Sequence, residues 1–167
     1  MYHDNYFPMN IGDTWNYRHR TDEVKGVKTF NNRTYYEVQS DSYDNTGQYY
    51  NSYKSYYRVE PGEKVYQLNS DSSTEFLIYD FTVPVNHSWT SQDWNITNST
   101  DSKVITIKNN HIGNCIEFDY DIPQAADDEH AIILAPGIGR IITASFAWGL
   151  GDTLQSAHVN GVYYDFE

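Results

Sequence analysis

The chain has 167 residues, 39% of them hydrophobic and 16% aromatic, with 11 basic against 23 acidic side chains and a formal net charge of −12. Such a field repels phosphate backbones and anionic bilayers, so nucleic acid and acidic membrane surfaces are poor general partners. The sixteen tyrosines bring enough ring area to build a core where aliphatics are scarce, which excludes a disordered chain and fits one all-β domain over residues 1–167.

Strand patterns recur from end to end, and helix signals are nearly absent. Trp15, Tyr17 and His19 alternate with Asn16, Arg18 and Arg20, the two-residue period of a strand. Val24 to Val27 predicts a second strand, and Tyr35 to Val38 a third beyond a turn at Asn31 and Asn32. The basic stretch Arg18, Arg20, Lys25, Lys28 and Arg33 is interrupted by Asp22 and Glu23, and it reads as a solvated face. Tyr56 to Val59 and Val65 to Leu68 flank Pro61-Gly62-Glu63, a short hairpin connection. Phe76-Leu77-Ile78-Tyr79 is a continuous apolar run, the pattern of a central strand.

Val104 to Ile107 leads to a turn at Asn109 and Asn110. From Ile116 to Asp121 the alternation is clean, with Ile116, Phe118 and Tyr120 on one face and Glu117, Asp119 and Asp121 on the other. Ile132 to Leu134 reaches Ala135-Pro136-Gly137, where Pro then Gly suits the centre of a type II turn. Ile141 to Phe146 goes out, Gly149 to Asp152 turns, and Leu154 to Tyr163 returns. Surface loops are expected at Asp41 to Gly47, Asn69 to Thr74 and Gln92 to Asp101. Roughly ten to twelve strands result, an antiparallel meander that forms a curved open barrel or a two-layer sheet.

The opening Tyr6-Phe7-Pro8-Met9-Asn10-Ile11-Gly12-Asp13-Thr14-Trp15-Asn16-Tyr17 is the strongest motif. Pro8 suits a strand entry or an edge, and Trp15 and Tyr17 point to one face as the first strand begins. The motif resembles the start of a loosely defined group of exported bacterial proteins and lipoproteins. Later segments similar to that group are Tyr57-Arg58, Val65-Tyr66, Leu77-Ile78-Tyr79-Asp80-Phe81, Cys115-Ile116 and Ala135-Pro136-Gly137-Ile138-Gly139. The resemblance implies an all-β extracytoplasmic protein of uncharacterised activity, and it brings no catalytic residues. A Trp just after a Gly at the first strand is also similar to the lipocalin start, but that pattern is Gly-x-Trp and here it is Gly-x-x-Trp.

Chemistry-bearing motifs are sparse. Cys115 is the single cysteine, so an internal disulfide is excluded, and it reads as an inert small residue. The six histidines (His3, His19, His87, His111, His130 and His158) are dispersed without zinc spacing. Glu117, Asp119 and Asp121, with Asp127, Asp128 and Glu129, read as a solvated face and an acidic loop, since calcium-loop spacing is missing. Gly137-Ile138-Gly139 lacks the third glycine of a dinucleotide fingerprint, and no Gly-x-Ser-x-Gly elbow occurs. No cofactor, metal or catalytic set is therefore expected. No stretch approaches the roughly 20 apolar residues of a membrane span. Met1 opens into polar sequence, so either the protein is cytosolic or a leader has been removed; the composition favours export, secreted or lipid-anchored.

The functional expectation rests on the aromatic residues. Trp89 and Trp94 beside a polar loop, with Tyr49, Tyr50, Tyr53 and Tyr56, are candidates for an aromatic-lined face that stacks on a glycan or a partner. The alternatives are a calycin-like carrier of a small apolar ligand and, last, a carboxylate-based hydrolase.

Overall fold

The computed structural model describes residues 5–60, 62–146 and 151–167. His3, Pro61 and the turn expected at Gly149 and Leu150 lie outside them. The described residues form strands and turns with no helix. In chain order the strands are β1 (Thr14–Tyr17), β2 (Arg20–Phe30), β3 (Arg33–Tyr43), β4 (Tyr49–Glu60), β5 (Lys64–Leu68), β6 (Glu75–Asp80) and β7 (Ser88–Ser91). β8 (Trp94–Ile107), β9 (Asn110–Asp121), β10 (His130–Ala135), β11 (Gly139–Ser145), β12 (Gly151–Val159) and β13 (Val162–Asp165) complete the set.

All the pairings are antiparallel and run in the order β6-β5-β4-β3-β2-β1-β12-β11-β10-β9-β8-β7, with β13 added to β12. Each strand pairs with its chain neighbour except at two places. β1 closes on β12, placing Trp15 opposite Ala157. β6 and β7 face each other without a ladder, so the meander curves into a barrel with one open seam.

The seam corrects one expectation. The apolar run Phe76 to Tyr79 belongs to β6, an edge strand rather than a central one. Its residues are apolar because they line the interior and meet the aromatic side chains of β7 and β9. Two further differences concern the second half. Residues 94–101 are strand, not loop, with Ile96 and Asn98 buried inside the polar run; the alternation was masked by Asn, Ser and Thr, of which Thr is itself a strand former. The return from Leu154 is two strands, broken at Asn160 and Gly161, whose positive φ angles of 52° and 76° make a tight hairpin. The type II turn is in place, with Gly137 at φ 73° and Ile138 N–H donating to Ala135 O at 3.2 Å.

Alternation sends one side of every strand inward. In β9, Ile116, Phe118 and Tyr120 are buried against Val65, Tyr79, Ile96 and Leu134. A second cluster gathers Trp15, Tyr17, Val24, Val38, Ile141 and Leu154. The long β8–β9 hairpin outruns the wall: β9 leaves β10 beyond Ile116, and Ile105, Ile107 and Cys115 join the cluster that holds Ile133 and Ala135. The β2–β3 hairpin does the same at the other side, leaving β4 beyond Tyr36. From its end Arg33 and Tyr35 both bond Glu75, and Asn31 donates to Ser72 O at 3.1 Å.

The opening segment plugs the barrel. Phe7 meets the rings of Tyr57 and Tyr79 at 5.4 and 5.5 Å. Gly137 N–H donates to Asn5 O at 2.9 Å, and Trp15 Nε1 donates to Ile138 O at 2.6 Å. Asp13, almost fully buried, accepts from Asn10 and from the backbone of Asn160. The two motifs that stood out in the sequence, 6–17 and 135–139, are thus the two halves of one closure.

Candidate functional site

The barrel interior is the candidate site, and β1, β2, β3 and β11 supply its polar end. On β2, Arg20 and Asp22 are in phase with Val24, and they pair with Ser42, Ser40 and Val38 of β3. They therefore face inward, and Arg20 is not part of a solvated basic face as the sequence suggested. Arg140 follows the Pro136-Gly137 turn and pairs with the inward-facing Leu134.

Asp22 is the hub. Its Oδ1 accepts from Ser40 Oγ at 2.7 Å and its Oδ2 from Arg140 Nη2 at 2.9 Å. Arg20 Nε approaches Oδ1 at 3.0 Å as an ion pair. The Tyr17 ring lies beneath both guanidinium groups, with centroid distances of 4.8 Å to Arg20 and 5.4 Å to Arg140. Tyr17 also donates its hydroxyl to Arg140 O at 2.7 Å, which holds the start of β11 in place.

Beyond this cluster the interior opens into a cavity of about 190 Å³. Its aromatic wall is Tyr57, Phe76, Tyr79, Trp94 and Tyr120, with His130 beside them, and Arg140 reaches its polar end. A smaller void of about 40 Å³ on the plug side shares Tyr57, Tyr79 and Arg140 with it. The rings are ordered by one another. His130 stacks on Tyr120 at 4.8 Å, and Trp94 meets both edge-on. Burial pushes the phenols of Tyr17, Tyr57, Tyr79 and Tyr120 above their ordinary pKa, so at neutral pH they bring no negative charge.

The seam forms one side of this cavity. Trp89 Nε1 donates to Leu77 O at 3.4 Å and Tyr120 hydroxyl to Ile78 O at 2.7 Å. Two side chains thus occupy carbonyls that a ladder would otherwise use.

The six residues singled out from sequence separate into three places. Trp94 lines the cavity and Trp89 stands at the seam, edge-on to Phe118 at 5.5 Å. Tyr49, Tyr50 and Tyr53 are exposed on β4, with Tyr49 against Tyr43. Tyr56 is turned to the outer face, where it meets Phe30 and donates to Glu37 at 3.1 Å. The tyrosines and the tryptophans do not share a pocket among the described residues. Arg140 went unnoticed in the sequence, and Arg20 and Asp22 were read there as part of a solvated face. A readable sign existed for two of them: charged residues in phase with Val24 on a strand are inward-facing charges. For Arg140 there was none, since a single arginine after a turn reads as surface.

Among the described residues no group of three His, Cys, Asp or Glu could hold a metal ion. Among the described residues the two voids together carry one lining carboxylate, Asp22 in the smaller, so the acid pair of a glycosidase is not assembled there.

No family model and no curated protein sequence matches the chain. In fold it is similar to the crystal structure, at 2.70 Å, of a "putative lipoprotein" from Parabacteroides distasonis ATCC 8503, with a TM-score of 0.54 at 9% identity. The likeness covers 92% of this chain and 98% of that one, so it extends over the barrel and not a fragment. It is a likeness of fold.

Proposed function

We propose that this protein is a non-enzymatic binding module of the bacterial cell envelope, secreted or lipid-anchored, whose ligand lies inside the barrel. The aromatic-walled cavity beside Arg140 carries this reading. Ligand sites are concave and mostly apolar, with a few placed polar groups, and this interior matches that description. A cavity of about 150 Å³ accommodates a benzene ring, so about 190 Å³ suits a small ring-bearing molecule rather than a long lipid. The fold shared with the Parabacteroides protein supports the envelope setting through that protein's description as a lipoprotein.

The outer face offers a second reading. Tyr49 and Tyr50, at the irregular start of β4, present rings that are 58% and 76% exposed, a surface on which sugar rings can stack, whereas Tyr53 pairs with the inward-phase Ser40. Two variants separate the readings. Ile132→Trp puts an indole into the cavity that Ile132 lines. The interior reading expects the wild type to bind a neutral aromatic probe such as naphthalene-2-carboxamide, by calorimetry, and the variant to lose that binding. Glycan-array binding that survives Ile132→Trp but is lost in Tyr50→Ser would transfer the function to the β4 face.

A further inference from the structure

The charges of the interior do not balance. Arg20 and Arg140 are both cationic at any accessible pH, Asp22 is the one carboxylate between them, and the surrounding phenols are neutral. Arg140 Nε and Arg20 Nη2 are buried and have no hydrogen-bond partner among the described residues, and Arg20 Nε is not aligned on its carboxylate neighbour. One positive charge is therefore left over inside a chain whose formal net charge is −12. An isolated buried cation is strongly disfavoured unless something pairs with it. Arg140 reaches both voids of the barrel, and 23% of its side chain is accessible although it sits within the interior.

We propose that the barrel selects a singly charged anionic ligand, with an aromatic or similarly flat body against Trp94 and Tyr120 and a carboxylate-class head paired with the accessible part of the Arg140 guanidinium. This rests on the interior reading of the previous subsection and adds the charge of the ligand to it. The overall field repels anions at long range, so association is slow and selectivity resides in the interior. Asp22 tunes the site: it neutralises one guanidinium and leaves the other for the ligand. Without it, neither Arg20 nor Arg140 would have a carboxylate partner.

The test compares naphthalene-2-carboxylate with naphthalene-2-carboxamide, which share a ring system and differ in charge, by calorimetry on the wild-type chain at low salt. A charge-assisted hydrogen bond gives the carboxylate an advantage of about tenfold or more. Equal affinities would overturn the anion assignment and leave the interior site standing. Failure of both to bind would overturn the two together. Variants add opposite signs: Arg140→Gln abolishes the carboxylate preference, whereas Asp22→Asn increases it. Thermal melts report which variants are folded, and the wild-type comparison stands without them. A carboxylate preference unchanged in a folded Asp22→Asn protein would count against Arg140 as the anion's partner.

Discussion

Cys115 shows how far the fold decides a residue's chemistry. The thiol is fully buried where the β8–β9 hairpin turns over the wall, and burial pushes its pKa up to about 11. A thiolate is the reactive form, so the native protein should leave Ellman's reagent unreduced at pH 8 over the time in which a denatured sample releases one thiol per chain. Rapid native reaction would mean that the hairpin opens often. The inert reading of this cysteine was available from its sequence setting, and Trp94, singled out beside a polar loop, lines the cavity. Arg140 was not available. Its partners Asp22 and Tyr17 lie 118 and 123 positions away in the chain, and nothing local to Gly139-Arg140-Ile141 distinguishes it from a surface arginine.

Among elements, β3 carries the clearest pH signature. Glu37 faces outward between Lys28 of β2 and Lys54 of β4, with the Tyr56 hydroxyl as a further donor. The hydrogen bond from Lys28 is the main cause that holds its carboxyl at about 2, below the ordinary 4.5. A depressed folded-state pKa means that the stabilisation is complete above the unfolded value and disappears as pH falls through the folded one. The wild type should therefore lose stability relative to Glu37→Gln between about pH 4.5 and about pH 2. The two lysines are 49% and 46% exposed, so the difference is that of a screened surface pair, about 1 kcal/mol or less. Paired urea titrations at pH 6 and pH 3 measure it. Parallel curves for the two proteins across that range would show that the lysines contribute nothing. Strands of this kind were legible because outward charge alternates with inward apolar residues. The stretch 94–101 was not, because its buried positions include Asn98, whose Nδ2 donates to Val83 O at 2.8 Å; a partner in a distant loop makes a polar residue an inward one.

For the whole molecule, the wall is continuous everywhere except between β6 and β7. Chain order predicts the meander, but it does not say which two strands close the barrel, since closure depends on register and shear accumulated over all of them. Here β1 and β12 form a true ladder, while the seam is held by side chains. Phe118 is central to that arrangement. Its ring, fully buried on β9, meets Tyr79 of β6 at 5.6 Å, Phe81 of the following turn at 5.9 Å and Trp89 of β7 at 5.5 Å. It therefore ties both edges to the wall. Phe118→Ala should cost about 3–5 kcal/mol, a large part of the roughly 5–15 kcal/mol that holds a domain folded. The loss should also be uneven. Amides of β6 and β7 depend on the ring contacts, whereas those of β1 and β12 depend on their own ladder. Hydrogen exchange followed by mass spectrometry should thus show peptides spanning residues 75–91 losing protection in the variant before those of β1 and β12. If protection falls equally across the barrel, the seam is no weaker than the ladders, and the cavity must be reached from an end of the barrel. If the seam alone loosens, the same two strands that line the cavity are its gate, and ligand exchange should accelerate in Phe118→Ala together with the exchange of the β6 amides.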